Sequence, residues 1–194
     1  QQRILDFTSH TVRALDNVLL SLENHRNVLQ PLVGQPCPQV QLALRQQAAI
    51  LQTVRSIALI EDGILYCSSI FGNRSEPVRD VLQELPASTA KLILSTDQWL
   101  LKGSPVLIQW YPVSQDGEDG VVEIINIDLI ARMILEPQRP LISDVVLTVG
   151  NRFLRYGQRV TDSLTFDEES ALFQQSSTQN PFKITVGGPG PGEL

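Results

Sequence analysis

The chain has 194 residues, of which 42% are hydrophobic and 19% charged, a composition typical of a folded globular domain. Its net charge of −6, with no cluster of Lys or Arg, excludes nucleic acid as the partner, because phosphates demand concentrated positive charge. No run of about 18 apolar residues occurs, so no stretch is expected to span a membrane. The sequence begins at Gln1 and enters a helical pattern at once, and we interpret it as a piece of a longer protein.

Residues 1–30 are predicted to form one long amphipathic helix. Apolar residues recur there at three- and four-residue spacing, and no Pro or Gly interrupts the pattern before Pro31. Two interpretations of the apolar stripe are compatible with each other. It packs on a sheet of the same chain, or it pairs with its counterpart in a homodimer.

The segment 31–38 is rich in proline and interrupts the helical pattern. Pro36 and Pro38 flank Cys37, and we expect them to hold the chain extended and to keep helix away from the cysteine. A second helix is predicted over residues 39–53.

The next stretch predicts a β-hairpin. Apolar runs at 57–60 and 64–66 flank Glu61-Asp62-Gly63, and Asp-Gly between such runs favours a tight turn because Gly adopts positive φ. The second strand delivers Cys67-Ser68-Ser69 at its end. We interpret the two serines as strand-end hydroxyls that satisfy a turn.

The rest of the chain is predicted to alternate strands with short helices. A turn over 72–75 and a helix over 76–85 come first, and Asp128 is predicted to cap a helix over 129–135. Strands are predicted over 92–95, 106–111, 121–127, 143–149, 153–156 and 182–186. The stretch 161–179 is polar and has the weakest pattern in the chain, and 187–194 predict a flexible tail. The fold class is therefore α+β, a long N-terminal helix packed on a mostly antiparallel sheet, with one domain over 1–186.

No enzyme active site is indicated. The two histidines, His10 and His25, lie in the first helix, and no motif links them to Cys67 as a catalytic base. Two Cys and two His fit no metal-ligand spacing, and no phosphate-binding or hydrolase motif occurs. We therefore predict no catalytic residue, no metal and no cofactor in this chain.

Trp110 and Tyr111 end an apolar strand. Core packing is the default interpretation, and the alternative is that they line a ligand pocket.

Cys37 and Cys67 are the two cysteines of the chain, and they are either incidental or joined. A bond between them would close a loop of about 30 residues and stabilise the fold by roughly 3.5 to 4 kcal/mol on the chain-entropy model. Domain stability is only about 5 to 15 kcal/mol, so such a bond is strong enough for a redox switch, and it implies an oxidising compartment. A bond that only stabilises the fold fits the same residues.

Residues 54–69, Val-Arg-Ser-Ile-Ala-Leu-Ile-Glu-Asp-Gly-Ile-Leu-Tyr-Cys-Ser-Ser, resemble the CSS-motif domain of bacterial EAL-type cyclic-di-GMP phosphodiesterases. The segment 31–37, Pro-Leu-Val-Gly-Gln-Pro-Cys, resembles the first cysteine region of that family. The order of long helix, first cysteine, helix and hairpin also fits. The specific match covers about residues 31–72.

The resemblance implies a periplasmic domain of an inner-membrane protein, placed between two transmembrane helices and followed by a cytoplasmic EAL domain. It implies that Cys37 and Cys67 form a regulatory disulfide, whose oxidised form holds phosphodiesterase activity down and whose reduced form releases it. It also implies Dsb-type thiol oxidoreductases as partners. The EAL motif is absent from this chain, so catalysis and its metal ions are expected elsewhere.

The order of elements is also similar to that of Cache-like, PAS-related periplasmic sensors. The alternative function is therefore a Cache-like small-molecule sensor with a purely structural disulfide, whose pocket would lie beside Trp110 and Tyr111.

Overall fold

The computed structural model describes residues 2–99, 101–137, 142, 144–166 and 171–188. These residues form two compact units. The first unit comes from Gln1–Leu19, Ile93–Val106 and Ile127–Leu194, and the second from Leu20–Leu92 and Leu107–Asn126. Within the described ranges, no helix combines the length and apolar character needed to cross a bilayer.

The N-terminal helix is shorter than predicted. Helix α1 spans Gln2–Glu23, and a separate turn of helix, α2, spans Arg26–Leu29 before a short 3-10 helix at Gln30–Leu32. At the break, the amide of His25 bonds the Leu22 carbonyl, and its Nδ1 lies 2.8 Å from the Ser21 carbonyl. In a continuous helix the His25 amide would donate to the Ser21 carbonyl, but here the imidazole of His25 is bonded to that carbonyl instead. The predicted helix over 1–30 is therefore interrupted at this point.

The expectation that proline keeps helix away from Cys37 is wrong. Helix α3 spans Cys37–Ile50, and Cys37 is its first residue. Pro38 sits in the first turn, where a missing N–H costs no hydrogen bond because those amides have no partner within the helix. The helix also ends three residues earlier than predicted.

The predicted hairpin is confirmed. Strand β1 (Val54–Glu61) pairs antiparallel with β2 (Ile64–Ser68), and Glu61 faces Ile64. The two residues between them, Asp62 and Gly63, both have positive φ, 51° and 72°. That pair of left-handed residues matches the right-handed twist of the strands.

Two local predictions after the hairpin are wrong. Residues 72–75 do not form a turn but begin strand β3 (Gly72–Pro77), and the helix predicted over 76–85 is reduced to α4 (Val78–Val81). Strand β3 is polar and mostly exposed, and it is held by antiparallel pairing with β2. An edge strand of this kind carries no alternating apolar pattern from which it could be recognised.

Strands β1, β2 and β3 belong to a six-stranded antiparallel sheet. Three more strands, all predicted, complete it: β4 (Lys91–Thr96), β5 (Pro105–Pro112) and β6 (Gly120–Ile125). The strand order is β3-β2-β1-β6-β5-β4, which places β1 and β6 at the centre. Every residue of β6 is buried, so this strand lies in the hydrophobic core.

The first unit combines α1 with a second antiparallel sheet. Its further elements are α5 (Ile127–Leu135), β7 (Asp144–Val149), β8 (Arg152–Arg155), β9 (Val160–Thr161), β10 (Ala171–Ser176) and β11 (Lys183–Gly188), with the strands in the order β10-β11-β7-β8-β9. The Ser9 hydroxyl of α1 donates to Gln175 at 2.6 Å, and Asp16 accepts from Ser177 and Asn180 at 2.7 and 2.8 Å. Helix α1 therefore packs on this sheet.

The structure differs from the sequence analysis at three other places in this region. Helix α5 begins at Ile127, so Asp128 lies inside its first turn and is not the cap that was predicted. The stretch 161–179 contains β10, an edge strand whose residues alternate between half-buried and exposed. The predicted tail begins with Gly187 and Gly188, which belong to β11, and its residues 189–194 lie outside the described residues. The α+β class, a helix followed by antiparallel sheets, is confirmed.

Candidate functional site

A disulfide joins Cys37 and Cys67 in the second unit, with the two Cα atoms 5.2 Å apart. Cys37 opens α3 and Cys67 lies in β2, opposite Leu59 of β1. Both cysteines are buried, since Cys37 is 2% exposed and Cys67 is fully inaccessible. The bond thus attaches the start of α3 to the strand that carries the Cys-Ser-Ser sequence.

The two serines after Cys67 shape the chain as it leaves β2. The Ser69 hydroxyl accepts from the Ile57 amide at 2.9 Å, and the Ser69 amide donates to the Ile57 carbonyl at 2.8 Å. The Ser68 hydroxyl accepts from the amides of Ile70 and Phe71 at 3.2 and 3.4 Å. Both hydroxyls are therefore engaged with backbone and are buried, so they fix the geometry beside the disulfide.

A side chain from α3 also binds this turn. Arg45 Nε donates to the Ser69 carbonyl at 3.3 Å. Helix α3 is thus attached to the end of β2 covalently at its first residue and by a charge-assisted hydrogen bond two turns later.

A tyrosine next to Cys67 makes a second link parallel to the disulfide. The Gly34 amide donates to the Tyr66 hydroxyl at 2.8 Å, and that hydroxyl donates to the Leu32 carbonyl at 3.3 Å. Gly34 has φ of +93°, which a residue with a side chain rarely adopts. Burial is the main cause that raises the pKa of Tyr66, so its hydroxyl stays protonated and able to donate.

A buried carboxyl group lies in the same unit. Glu123 in β6 is fully inaccessible, faces Ile57 and Gln109 on the neighbouring strands, and has no hydrogen-bond partner for either oxygen among the described residues. Burial raises its pKa to about 8, and the positive charge of Arg26 opposes this only in part. At neutral pH the group is therefore protonated and uncharged.

Tyr111 lies beside this carboxyl group. The Arg26 guanidinium sits 4.7 Å from the centre of the Tyr111 ring, a cation–π arrangement. The Tyr111 hydroxyl is buried without a partner among the described residues, and burial, followed by the charge of Glu123, raises its pKa. Sequence reasoning did not single out Glu123 or Arg26, although a Glu between Val121-Val122 and Ile124-Ile125 is a visible signal of a buried carboxyl group.

The structure places Trp110 and Tyr111 in the core of the second unit, where they are inaccessible and 2% exposed. The Trp110 indole donates to the Ala87 carbonyl at 2.9 Å, and Gly120 lies so close that a Cβ there would meet its ring. That the two aromatic residues line a ligand pocket stays a prediction.

A cavity of about 60 Å³ lies in the first unit, between α1, α5 and one face of the β7–β8–β11 sheet. Its walls are mostly aliphatic, for example Leu15, Ile130 and Leu147. Three polar side chains at the wall come from Thr11, Asp128 and Tyr156. Among the described residues, no group of three or more potential ligands could hold a metal ion.

Comparison with known proteins places these features in a family. The family model described as the CSS motif domain associated with EAL matches residues 1–194. The Escherichia coli K12 protein named probable cyclic di-GMP phosphodiesterase PdeD is 54% identical over 190 residues, which cover 98% of this chain and 36% of that protein. The chain thus spans about a third of the length of this curated relative.

Solved structures share the fold at low sequence identity. A domain of a sensory box/GGDEF family protein from Vibrio parahaemolyticus superposes with a TM-score of 0.65 at 13% identity, covering 97% of this chain and 95% of that one. The periplasmic domain of RsbU from Chlamydia trachomatis gives a TM-score of 0.58 at 11% identity, covering 97% and 90%.

At this level of identity the likeness shows a shared fold, and the RsbU structure is that of a periplasmic domain. The family match over residues 1–194 includes Cys67-Ser68-Ser69. This chain belongs to the family of CSS-motif domains associated with EAL.

Proposed function

We propose that this chain is the periplasmic redox-sensing domain of a membrane-bound cyclic-di-GMP phosphodiesterase, with the Cys37–Cys67 disulfide as its switch. The observation that carries the proposal is the bond between the first residue of α3 and the strand of the family's motif. A relative 54% identical to this chain is named as a phosphodiesterase. In this proposal, the oxidised form represses the EAL domain and the reduced form releases it.

The mechanism follows from the two elements that the disulfide joins, the start of α3 and strand β2. Reduction frees the N-terminus of α3 from β2 and leaves the Tyr66 and Arg45 hydrogen bonds as weaker ties between the two segments. Because α2 and the 3-10 helix connect α3 directly to α1, the loosening reaches α1 through the chain. A transmembrane helix continuous with α1 would carry that change to the cytoplasm. Dsb-type thiol oxidoreductases are the partners that this proposal requires.

The test is phosphodiesterase output of the full-length protein with Cys67→Ser. The variant is expected to match the reduced wild type and to ignore added dithiothreitol, because no bond is left to reduce. Cys37→Ser should behave identically, and Ser75→Ala on the exposed edge strand serves as the matched control. If Cys67→Ser leaves output unchanged, or still responds to reductant, the redox proposal fails.

Dimerisation through α1 is a further part of the proposal. The apolar stripe of α1 is buried against its own chain, and its exposed apolar side chains include Leu5 and Leu20, 44% and 47% exposed. Sedimentation equilibrium of the wild type and of Leu20→Glu tests it. The dimer should weaken at least tenfold in the variant, and an unchanged monomer–dimer constant would exclude α1 as the interface.

The cavity in the first unit favours a second candidate function, a small-molecule sensor. A volume of about 60 Å³ holds four to six water-sized groups at roughly 10–15 Å³ each. The Asp128 carboxylate is a hydrogen-bond acceptor. The Thr11 hydroxyl already donates to the Phe7 carbonyl and the Tyr156 hydroxyl to Glu136, so both keep only acceptor capacity. Aliphatic walls with acceptors at the wall suit a short aliphatic amine.

The second candidate is tested by thermal unfolding with n-butylamine, n-butanol and n-butyrate at equal concentrations. Only the amine should raise the melting temperature, and Asp128→Asn should remove the preference for it. Ala131→Leu, which fills the cavity wall, should remove binding altogether. A shift that survives in Ala131→Leu, or no shift with any of the three, would exclude this site.

A further inference from the structure

The sulfur atoms of the disulfide are out of reach in the folded chain. Thiol–disulfide exchange requires a thiolate to attack one sulfur directly. Cys67 is fully inaccessible and Cys37 is 2% exposed. Reduction therefore needs a prior opening of the second unit, and the opening equilibrium sets the rate at which a reductant acts.

The segment immediately before Cys37 has no buried side chain. We call residues 30–36 the strap. It runs from Leu29, which is fully buried, to Cys37, and its own residues are exposed or half-buried. Segments with few buried apolar contacts open locally at much lower free energy than the core.

Tyr66 holds the strap to the hairpin. Its hydroxyl bonds both the Gly34 amide and the Leu32 carbonyl, at 2.8 and 3.3 Å. A Cβ built on Gly34 would lie 3.3 Å from the Glu61 carboxylate, so the strap also runs close to the end of β1. Because Tyr66 precedes Cys67 and Gly34 lies three residues before Cys37, the phenol and the disulfide connect the same two segments.

We propose that the strap is a gate over the disulfide and that Tyr66 is the positioning residue that keeps it closed. With both hydrogen bonds made, the strap stays against the hairpin and Cys37, which follows it directly, stays buried. When they break, the strap moves away from Leu29 onward, and Cys37 becomes accessible with it. Because the gate regulates reduction of the disulfide, its biological role rests on the proposed redox function.

The chemistry behind the open gate is ordinary exchange with a dithiol reductant. Its thiolate attacks Sγ of Cys37, a mixed disulfide forms, and Cys67 leaves as a thiolate that takes up a proton. The second thiol of the reductant then attacks the mixed disulfide and releases Cys37. Two electrons pass to the protein, which gains two thiols, and the reductant becomes a cyclic disulfide.

The experiment measures reduction kinetics of the oxidised 194-residue chain. Free thiols are alkylated at intervals after addition of dithiothreitol over a wide concentration range and counted by mass spectrometry. Tyr66→Phe removes the hydroxyl and keeps the ring, and Tyr156→Phe is the matched control, since the Tyr156 hydroxyl donates to Glu136 at 2.8 Å in the other unit.

Loss of two net hydrogen bonds should speed reduction of Tyr66→Phe roughly 5- to 30-fold at low dithiothreitol, with Tyr156→Phe unchanged. The wild-type rate should level off at high dithiothreitol, where opening becomes limiting. A Tyr66→Phe rate within twofold of the wild type overturns the gate. So does a wild-type rate equal to that of an unfolded, oxidised sample.

A second measurement on the wild type keeps the proposal open to refutation if Tyr66→Phe does not fold. Hydrogen exchange of the Gly34 amide reports the opening of its bond to Tyr66. Its opening constant should agree within tenfold with the constant derived from reduction kinetics, and a larger disagreement overturns the gate. None of these measurements uses phosphodiesterase activity, so the gate and the redox function can fail independently.

Discussion

The buried carboxyl group of Glu123 gives a prediction with a definite sign. Its pKa is about 8 in the folded chain, against about 4.5 when exposed. When the pKa of an acid is higher in the folded chain than in the unfolded chain, the folded state is most stable at pH values below the unfolded pKa. That stability is lost as the pH rises from the unfolded pKa to the folded pKa. Folding must therefore bind a proton between about pH 4.5 and 8, and stability falls by about 1.4 kcal/mol per pH unit across that range.

Replacing Glu123 by Gln removes this cost, because the amide is neutral at every pH. At pH 7 the cost in the wild type is about 3 kcal/mol, since unfolded Glu has lost its proton and folded Glu has not. For a chain of this length each kcal/mol moves the melting temperature by about 2–4 °C. The difference in melting temperature between the variant and the wild type should be about 6–12 °C larger at pH 7 than at pH 4.5, in favour of the variant.

The assay is thermal unfolding followed by circular dichroism from pH 4.5 to 8.5, in oxidising buffer so that the disulfide stays intact. Glu23→Gln makes the same chemical change at an exposed position of α1 and should give no pH-dependent offset. The reasoning is refuted if the offset of Glu123→Gln is the same at pH 4.5 and pH 7. That outcome would mean that Glu123 is ionised in the folded chain.

Three further predictions concern stability. The disulfide closes a separation of 30 residues, so Cys37→Ala with Cys67→Ala should lose about 3.6 kcal/mol in urea unfolding, and an unchanged midpoint would contradict the chain-entropy argument. Asp16 accepts two hydrogen bonds from the turn between β10 and β11. The free energy of unfolding should fall by about 2–4 kcal/mol in Asp16→Ala and by less in Asp16→Asn, and equal losses would show that the charge of Asp16 is irrelevant. Gly120→Ala places a Cβ 2.4 Å from the Trp110 ring. The substitution should lower the free energy of unfolding by about 1–3 kcal/mol and change the near-ultraviolet circular dichroism of Trp110, and a variant like the wild type in both would contradict this packing.

The candidate site divides between what local sequence predicts and what it does not. The hairpin was predictable because Asp62 and Gly63 both adopt positive φ, a preference that belongs to the residues themselves. The disulfide followed from the family resemblance. The position of Cys37 within α3 was missed, because proline in a first helical turn was interpreted as a helix breaker when it is tolerated there.

By itself the sequence determined the α+β class, most strands of the two sheets and the strand that carries Cys67-Ser68-Ser69. Those features rest on turn preferences and apolar periodicity, which act over a few residues. Only the tertiary structure decided that β3 and β10 are strands, since neither has alternating apolar and polar residues and edge strands of this kind depend on pairing with a neighbour. It also decided that Glu123 is buried uncharged and that Tyr66 bonds Gly34, because both depend on residues tens of positions apart.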